Sequence, residues 1–118
     1  MIHHYKLENA LPFEWDGLEA RAYNSKDQFE RASAGLFKVT KHHGLVKNYL
    51  SDRVYLILKG SGTFIIEDEE VSVSEMDVVI IPRGTKYDYE GEMTLFLVHA
   101  PAYDYSTDVD YEGLQSNE

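Results

Sequence analysis

The sequence predicts an all-β domain, and three observations carry that prediction. From about Leu36 to Ala100 it is a succession of short segments rich in β-branched and aromatic residues. Turn signals separate these segments at the intervals typical of sandwiches and barrels. The chain has 118 residues, 43% hydrophobic and 27% charged, which suits one globular unit with a single core.

The elements follow in order. Gly35 to Thr40 reads as a strand, whereas Ser25 to Ala34 suits either a short helix or an edge strand. Arg53 to Lys59 (RVYLILK) is a strand that runs into Gly60-Ser61-Gly62, a glycine-rich reversal, and Thr63 to Glu67 returns from it, so the two read as a hairpin. Asp68-Glu69-Glu70 forms an exposed acidic turn into Val71-Ser72-Val73, which alternates with the period of a half-buried strand. Asp77 to Ile81 (DVVII) is apolar without alternation, as a strand covered on both faces would be. Pro82-Arg83-Gly84-Thr85 breaks it, since Pro82 cannot donate to a ladder and Gly84 tolerates positive φ. Thr94 to His99 supplies a last strand, ended by Pro101. These limits divide the chain into an N-terminal segment packing on the barrel (1–34), the barrel (35–103) and an acidic C-terminal tail (104–118). Beyond Tyr103 the chain carries acids and no bases, as a mobile tail or a strap across a partner would.

Charge narrows the partners. Eleven Lys and Arg face 21 Asp and Glu, a formal charge of -10, so the overall field repels phosphate backbones and anionic membrane surfaces. No apolar run approaches the roughly 20 residues of a spanning helix, and Met1 to Leu11 lacks the apolar stretch of a signal peptide. A cytoplasmic protein with no nucleic-acid and no membrane partner is expected. With no cysteine, any metal would need His, Asp, Glu or Tyr ligands.

The segment from Lys47 to Tyr87 resembles the cupin superfamily. Gly60 and the strand before it match the end of the first cupin motif, and Pro82-Arg83-Gly84-Thr85-Lys86-Tyr87 fits the Pro-x-Gly-x-x-His spacing of the second. The resemblance implies a double-stranded β-helix, or jelly-roll, barrel. It also places Lys47, Tyr49, Arg53 and Tyr87 where metal-dependent members have their ligands, and Met76 where the second motif has its leading Gly. Two cations repel a divalent ion, and Tyr ligates only as phenolate, so no metal and no cofactor are expected. The cluster instead suits a small anionic or sugar-like ligand, with Arg53 as a planar fork and Tyr55, two residues on, facing the same way. The competing reading is a buried polar network in which Arg53 and the tyrosines satisfy one another, or Asp88 or Glu90.

His42 and His43 are adjacent on the chain, so at most one can enter a barrel from a strand. His99 in the last strand, with Tyr87 as acid, is a candidate catalytic base. His3 and His4 read as exposed chain, and Phe13, Trp15 and Phe29 as caps of the barrel end or a dimer seam. Three functions remain open. The first is a metal-independent module binding a small ligand through Lys47, Tyr49, Arg53, Tyr55 and Tyr87. The second, implied by the resemblance, is a metal-independent sugar epimerase or ketoisomerase that pairs His99 or His43 as base with Tyr87 or Tyr49 as acid. The third is a metal enzyme with a non-standard site built on His42 or His43, His99 and a carboxylate. The resemblance also implies a homodimer.

Overall fold

The computed structural model describes residues 2–15, 17–41, 46–48, 50–104 and 108–110. Nine strands follow one short 3-10 turn at Leu7–Asn9: β1 (Leu11–Trp15), β2 (Leu18–Ala22), β3 (Ser33–Val39), β4 (Val46–Asn48), β5 (Asp52–Ile66), β6 (Glu69–Ser74), β7 (Val78–Ile81), β8 (Lys86–Ala100) and β9 (Asp108–Asp110). Every pairing among them is antiparallel.

β5 and β8 run alongside each other for almost their whole length, from Asp52 opposite Ala100 to Ile66 opposite Tyr87. At one end they are flanked by β7 on one side and β3, β2 and β1 on the other. At the other end the flanks are β6 on one side and β4 and β9 on the other. The ribbon bends in the middle, so its two halves face each other and enclose the core. Tyr55, Ile57, Phe64, Tyr87, Tyr89, Leu95 and Leu97 are fully or almost fully buried between them. Among the described pairings the sheet does not close on itself.

The bend corrects the hairpin expected at Gly60-Ser61-Gly62. These residues do not reverse the chain; they lie inside β5, with a register shift between Ile57 and Lys59. Gly60 has φ +85°, and a Cβ there would overlap the carbonyl oxygen of Glu92. On the facing strand, a Cβ on Gly91 would lie 2.7 Å from the Gly62 Cα. Small residues on both strands let two backbones bend together without side chains between them. The reversal falls instead at Glu67-Asp68, a two-residue loop with φ of 48° and 73°, the left-handed pair that joins tightly twisted strands.

Other expectations fare differently. Gly35 to Thr40 lies in β3 or just beyond its end, and Val71 to Val73 lies in β6. The segment from Ser25 to Ala34 is neither helix nor edge strand: a turn at Lys26–Gln28 leads into β3 at Ser33. Thr94 to His99 is only the second half of β8. The strand from Val78 to Ile81 is not covered on both faces. Val79 and Ile81 are buried, while Val78 and Ile80 are 56% and 62% exposed. β7 is an edge strand with an apolar outer side, and an unbroken apolar run cannot distinguish that from a doubly buried strand. In the acidic tail, Asp108–Asp110 pairs with β4 of the same chain.

Met76, standing at the motif glycine, has φ +72° and is 69% exposed. The turn keeps the glycine backbone without the glycine, which costs an L-residue about 1–2 kcal/mol. Met76→Gly is therefore expected to raise stability, with the added flexibility of the unfolded chain cancelling part of the relief. Urea unfolding should register a gain of about 0.5–1 kcal/mol at an unchanged m-value.

Candidate functional site

Strand alternation sends Arg53 and Tyr55 from β5, and Tyr87 and Tyr89 from β8, into the enclosed space. Because the ribbon is folded over, Arg53 and Tyr87 meet from opposite halves. The Arg53 guanidinium donates through Nη1 to the Tyr87 hydroxyl oxygen, and the Tyr55 and Tyr87 hydroxyls are 2.7 Å apart. Arg53 is 3% exposed and the three tyrosines are fully buried. Tyr89 stands beside them, its ring centroid 5.4 Å from that of Tyr55 and 5.0 Å from that of Phe64.

The guanidinium also has aromatic neighbours. Its Cζ lies 5.6 Å from the Tyr87 ring centroid and 5.9 Å from that of Tyr103, within the range of cation–π attraction. His99, buried and cross-strand from Arg53, has its ring 4.9 Å from Tyr103. Tyr103 is held in place from both sides: its N–H donates to Ser33 Oγ at 2.8 Å, and Ser51 Oγ donates to the Pro101 carbonyl at 2.8 Å. The chain leaving β8 thus folds back over the end of the barrel that contains Arg53.

Burial governs the chemistry. It pushes the Tyr55 phenol well above its usual range, with the Tyr87 and Tyr89 phenols adding and the Arg53 charge working against it. Tyr89 is raised in the same way, chiefly by burial, with Arg53 and the Tyr55 hydroxyl opposing. At neutral pH both are proton donors in a dry environment, where a donor aimed at developing negative charge has most effect.

Of the residues singled out from sequence, Arg53, Tyr55 and Tyr87 come together, and His99 lines the same end. Lys47 has its backbone in β4 opposite Lys86; its side chain, together with Tyr49, His42 and His43, lies outside the described residues. Asp88 and Glu90 are not the internal partners considered for Arg53. They fall on the alternate face, where Asp88 Oδ1 accepts the Tyr89 N–H and Glu90 is exposed. His3 and His4 are exposed, as is Phe13, while Phe29 is half-buried against His3. Sequence reading missed Tyr89, Phe64 and Tyr103. Tyr89 was within reach, being two residues beyond Tyr87 and so on the same strand face.

The described donor set does not fit a transition metal. A guanidinium offers hydrogens and no lone pair, and it occupies the Tyr87 oxygen that a metal would need. Among the described residues no group of three His, Asp or Glu side chains is placed to hold an ion. A surface groove of about 610 Å³, lined by Leu7, Pro12, Phe13, Arg21, Leu36 and Thr94, lies on the outer side of β1–β3 and touches none of the cluster.

A bent antiparallel ribbon with its polar cluster between the two halves is the cupin fold. No family model and no curated protein matches the chain; its likeness is to solved structures. A Streptomyces Pac13 variant, H42Q, solved with uridine, is 23% identical, with 95% of this chain and 92% of that one covered and a TM-score of 0.86. Pac13 is described as a nucleoside dehydratase. KdgF from Halomonas sp. is 12% identical over 88% of this chain and 97% of that one, with a TM-score of 0.77. An oxalate decarboxylase of Bacillus subtilis is 14% identical, covering 94% of this chain but 33% of that longer one, with a TM-score of 0.79. No helix among the described residues is long and apolar enough to cross a membrane.

The raised phenols lead to a measurable outcome. In a spectrophotometric pH titration, Tyr55 and Tyr89 are expected to remain protonated after the exposed tyrosines have ionised near pH 10. Because folding raises these values, the stability tied to them is complete below about pH 10 and is lost as pH climbs beyond it. Unfolding midpoints should fall over that alkaline range and recover on return to neutral pH.

Proposed function

We propose that this chain binds a nucleoside, or a similarly polyhydroxylated sugar derivative, between the two halves of the barrel. There it acts by metal-independent acid–base chemistry, with removal of water as the reaction class. The observation that carries the reading is the buried Arg53–Tyr87–Tyr55 hydrogen-bonded cluster with Tyr89 at its side. Loss of water from a sugar needs a base for a carbon-bound proton, an acid for the departing hydroxyl and stabilisation of the charge between them. The tyrosines suit the second task and Arg53 the third.

Two points favour a nucleoside-like ligand over a compact anion. The fork of Arg53 is turned to Tyr87, so hydroxyl groups and aromatic rings line the space rather than an open cationic clamp. The dehydratase has also been solved with uridine as the variants H42Q, Y55F and Y89F. This chain has His42, Tyr55 and Tyr89, the same residue types at the same numbers. On this reading Tyr55 and Tyr89 face the ligand, and the base is His42 or the buried His99. The epimerase and ketoisomerase alternative uses the same groups for proton transfer without loss of a hydroxyl.

A second copy of the chain belongs to the proposal. On the outer side of the sheet, Val78 and Ile80 of β7 stand beside Leu56 and Val54 of β5, followed by Phe96 and Val98 of β8. This apolar row continues across three strands of a strongly acidic protein and favours a homodimer through this face rather than through the N-terminal aromatics.

Calorimetric titration should show uridine binding to the wild type and a loss of at least about tenfold in affinity for Tyr55→Phe or Tyr89→Phe, the scale of one lost buried hydrogen bond. If no nucleoside or sugar derivative in a thermal-shift panel stabilises the wild type, the reading fails. Separately, Ile80→Glu is expected to convert a dimer to monomer in sedimentation velocity; an unchanged sedimentation coefficient would remove this face from consideration.

A further inference from the structure

We propose that Arg53 is a positioning residue which, through Tyr87, fixes the direction of the hydrogen-bond chain so that Tyr55 leads with its proton toward the ligand. The inference rests on the acid–base reading above and assigns one hydroxyl its task within it.

The direction follows from donor counting. A guanidinium has five N–H donors and no acceptor, so Arg53 can only donate and Tyr87 Oη can only accept between them. The contact between Tyr55 and Tyr87 permits either hydroxyl to donate. The cation resolves the choice. Drawing electron density from the Tyr87 oxygen makes its O–H the stronger donor, and hydrogen bonds in a dry chain reinforce one another in a single sense. Tyr87 therefore donates to Tyr55. The proton of Tyr55 is then turned away from Tyr87, into the space bounded by Phe64 and Tyr89, whose ring centroids lie 5.3 and 5.4 Å from its own.

In a loss of water, the Tyr55 proton passes to the departing hydroxyl oxygen as its bond to carbon breaks. The proton from the adjacent carbon goes to the base, and the electrons of that C–H bond become the second bond between the two carbons. Water and an unsaturated sugar derivative leave, and the proton on the base returns to Tyr55 to restore both groups. Between these steps Tyr55 is a phenolate, a state that its burial opposes. The donor hydrogen of Tyr87 and the charge of Arg53 behind it are already aimed at that oxygen. With the opposite direction, the Tyr55 proton would be tied up inside the cluster and unavailable to the ligand. The titratable or charged groups facing Tyr55 are Arg53, Tyr87 and Tyr89.

The direction can be read in the ligand-free protein. With tyrosine labelled by ¹³C at Cζ, the hydroxyl proton of Tyr87 is followed by NMR in the wild type, Tyr55→Phe, Arg53→Lys and Arg53→Met. Tyr55→Phe removes the acceptor, so exchange of the Tyr87 hydroxyl proton should speed up on the order of tenfold and its resonance should move upfield. Arg53→Met should do the same, while Arg53→Lys, which keeps a cationic donor, should retain most of the protection. A Tyr87 proton unaffected by Tyr55→Phe, or protected as in the wild type after Arg53→Met, overturns the proposal. If Arg53→Met does not fold, Arg53→Gln takes its place and is judged by the same criterion. No nucleoside is used, so a chain with the expected direction but no uridine binding would sink the functional reading and leave the geometry standing.

Discussion

The structure depends on the antiparallel pairing of β5 with β8, held in register from Asp52 opposite Ala100 to Ile66 opposite Tyr87. A flat ribbon of that length would expose both its faces. Bending at Gly60 and Gly91 turns one face inward, and the same bend brings Arg53, near the start of β5, onto Tyr87, near the start of β8. The core and the polar cluster are therefore products of one deformation. Its requirement is local: two backbones must approach more closely than side chains permit, and glycine supplies the room.

The enclosed cation is the costly part of this arrangement. A guanidinium removed from water loses several kcal/mol of hydration unless bonds and charge around it compensate. Here the Tyr87 hydroxyl and the faces of two aromatic rings provide part of that compensation. The arrangement is asymmetric, because the tyrosines share the burial but carry no charge at neutral pH. A site of this kind is ready to receive negative charge that appears only during a reaction, whereas a site already neutralised by a carboxylate would not be. This is why the cluster reads as chemistry as well as packing.

The surroundings serve the same end. Ser33 and Ser51 fix the chain beyond β8 across the cluster through Tyr103 and Pro101, and Lys26 pairs with Asp104 at the surface, 3.3 Å apart. On the outside, the apolar row of Val54, Val78 and Ile80 faces away from the site. Pairing there would leave the inner space untouched, so assembly and chemistry occupy opposite faces of the same strands.

Sequence by itself determined the all-β class, the strand content of β3, β5 and β6, and the inward direction of Arg53, Tyr55 and Tyr87. These follow from composition, turn residues and an alternation of two, all of which are local. It also fixed the poor fit to a metal, since donor chemistry belongs to residue type. It did not separate a reversal from a bend at Gly60-Ser61-Gly62, because glycine permits both and only the partner strand decides between them. Nor did it separate a doubly buried β7 from an edge strand with an apolar outer face, because what covers a strand is contributed by distant residues. The tertiary structure alone decided that Arg53 meets Tyr87 across 34 positions of chain, that Tyr55 and Tyr89 complete the cluster, and that Asp88 does not. Such contacts depend on how two halves of a ribbon close on one another, and no pattern of period two contains that information.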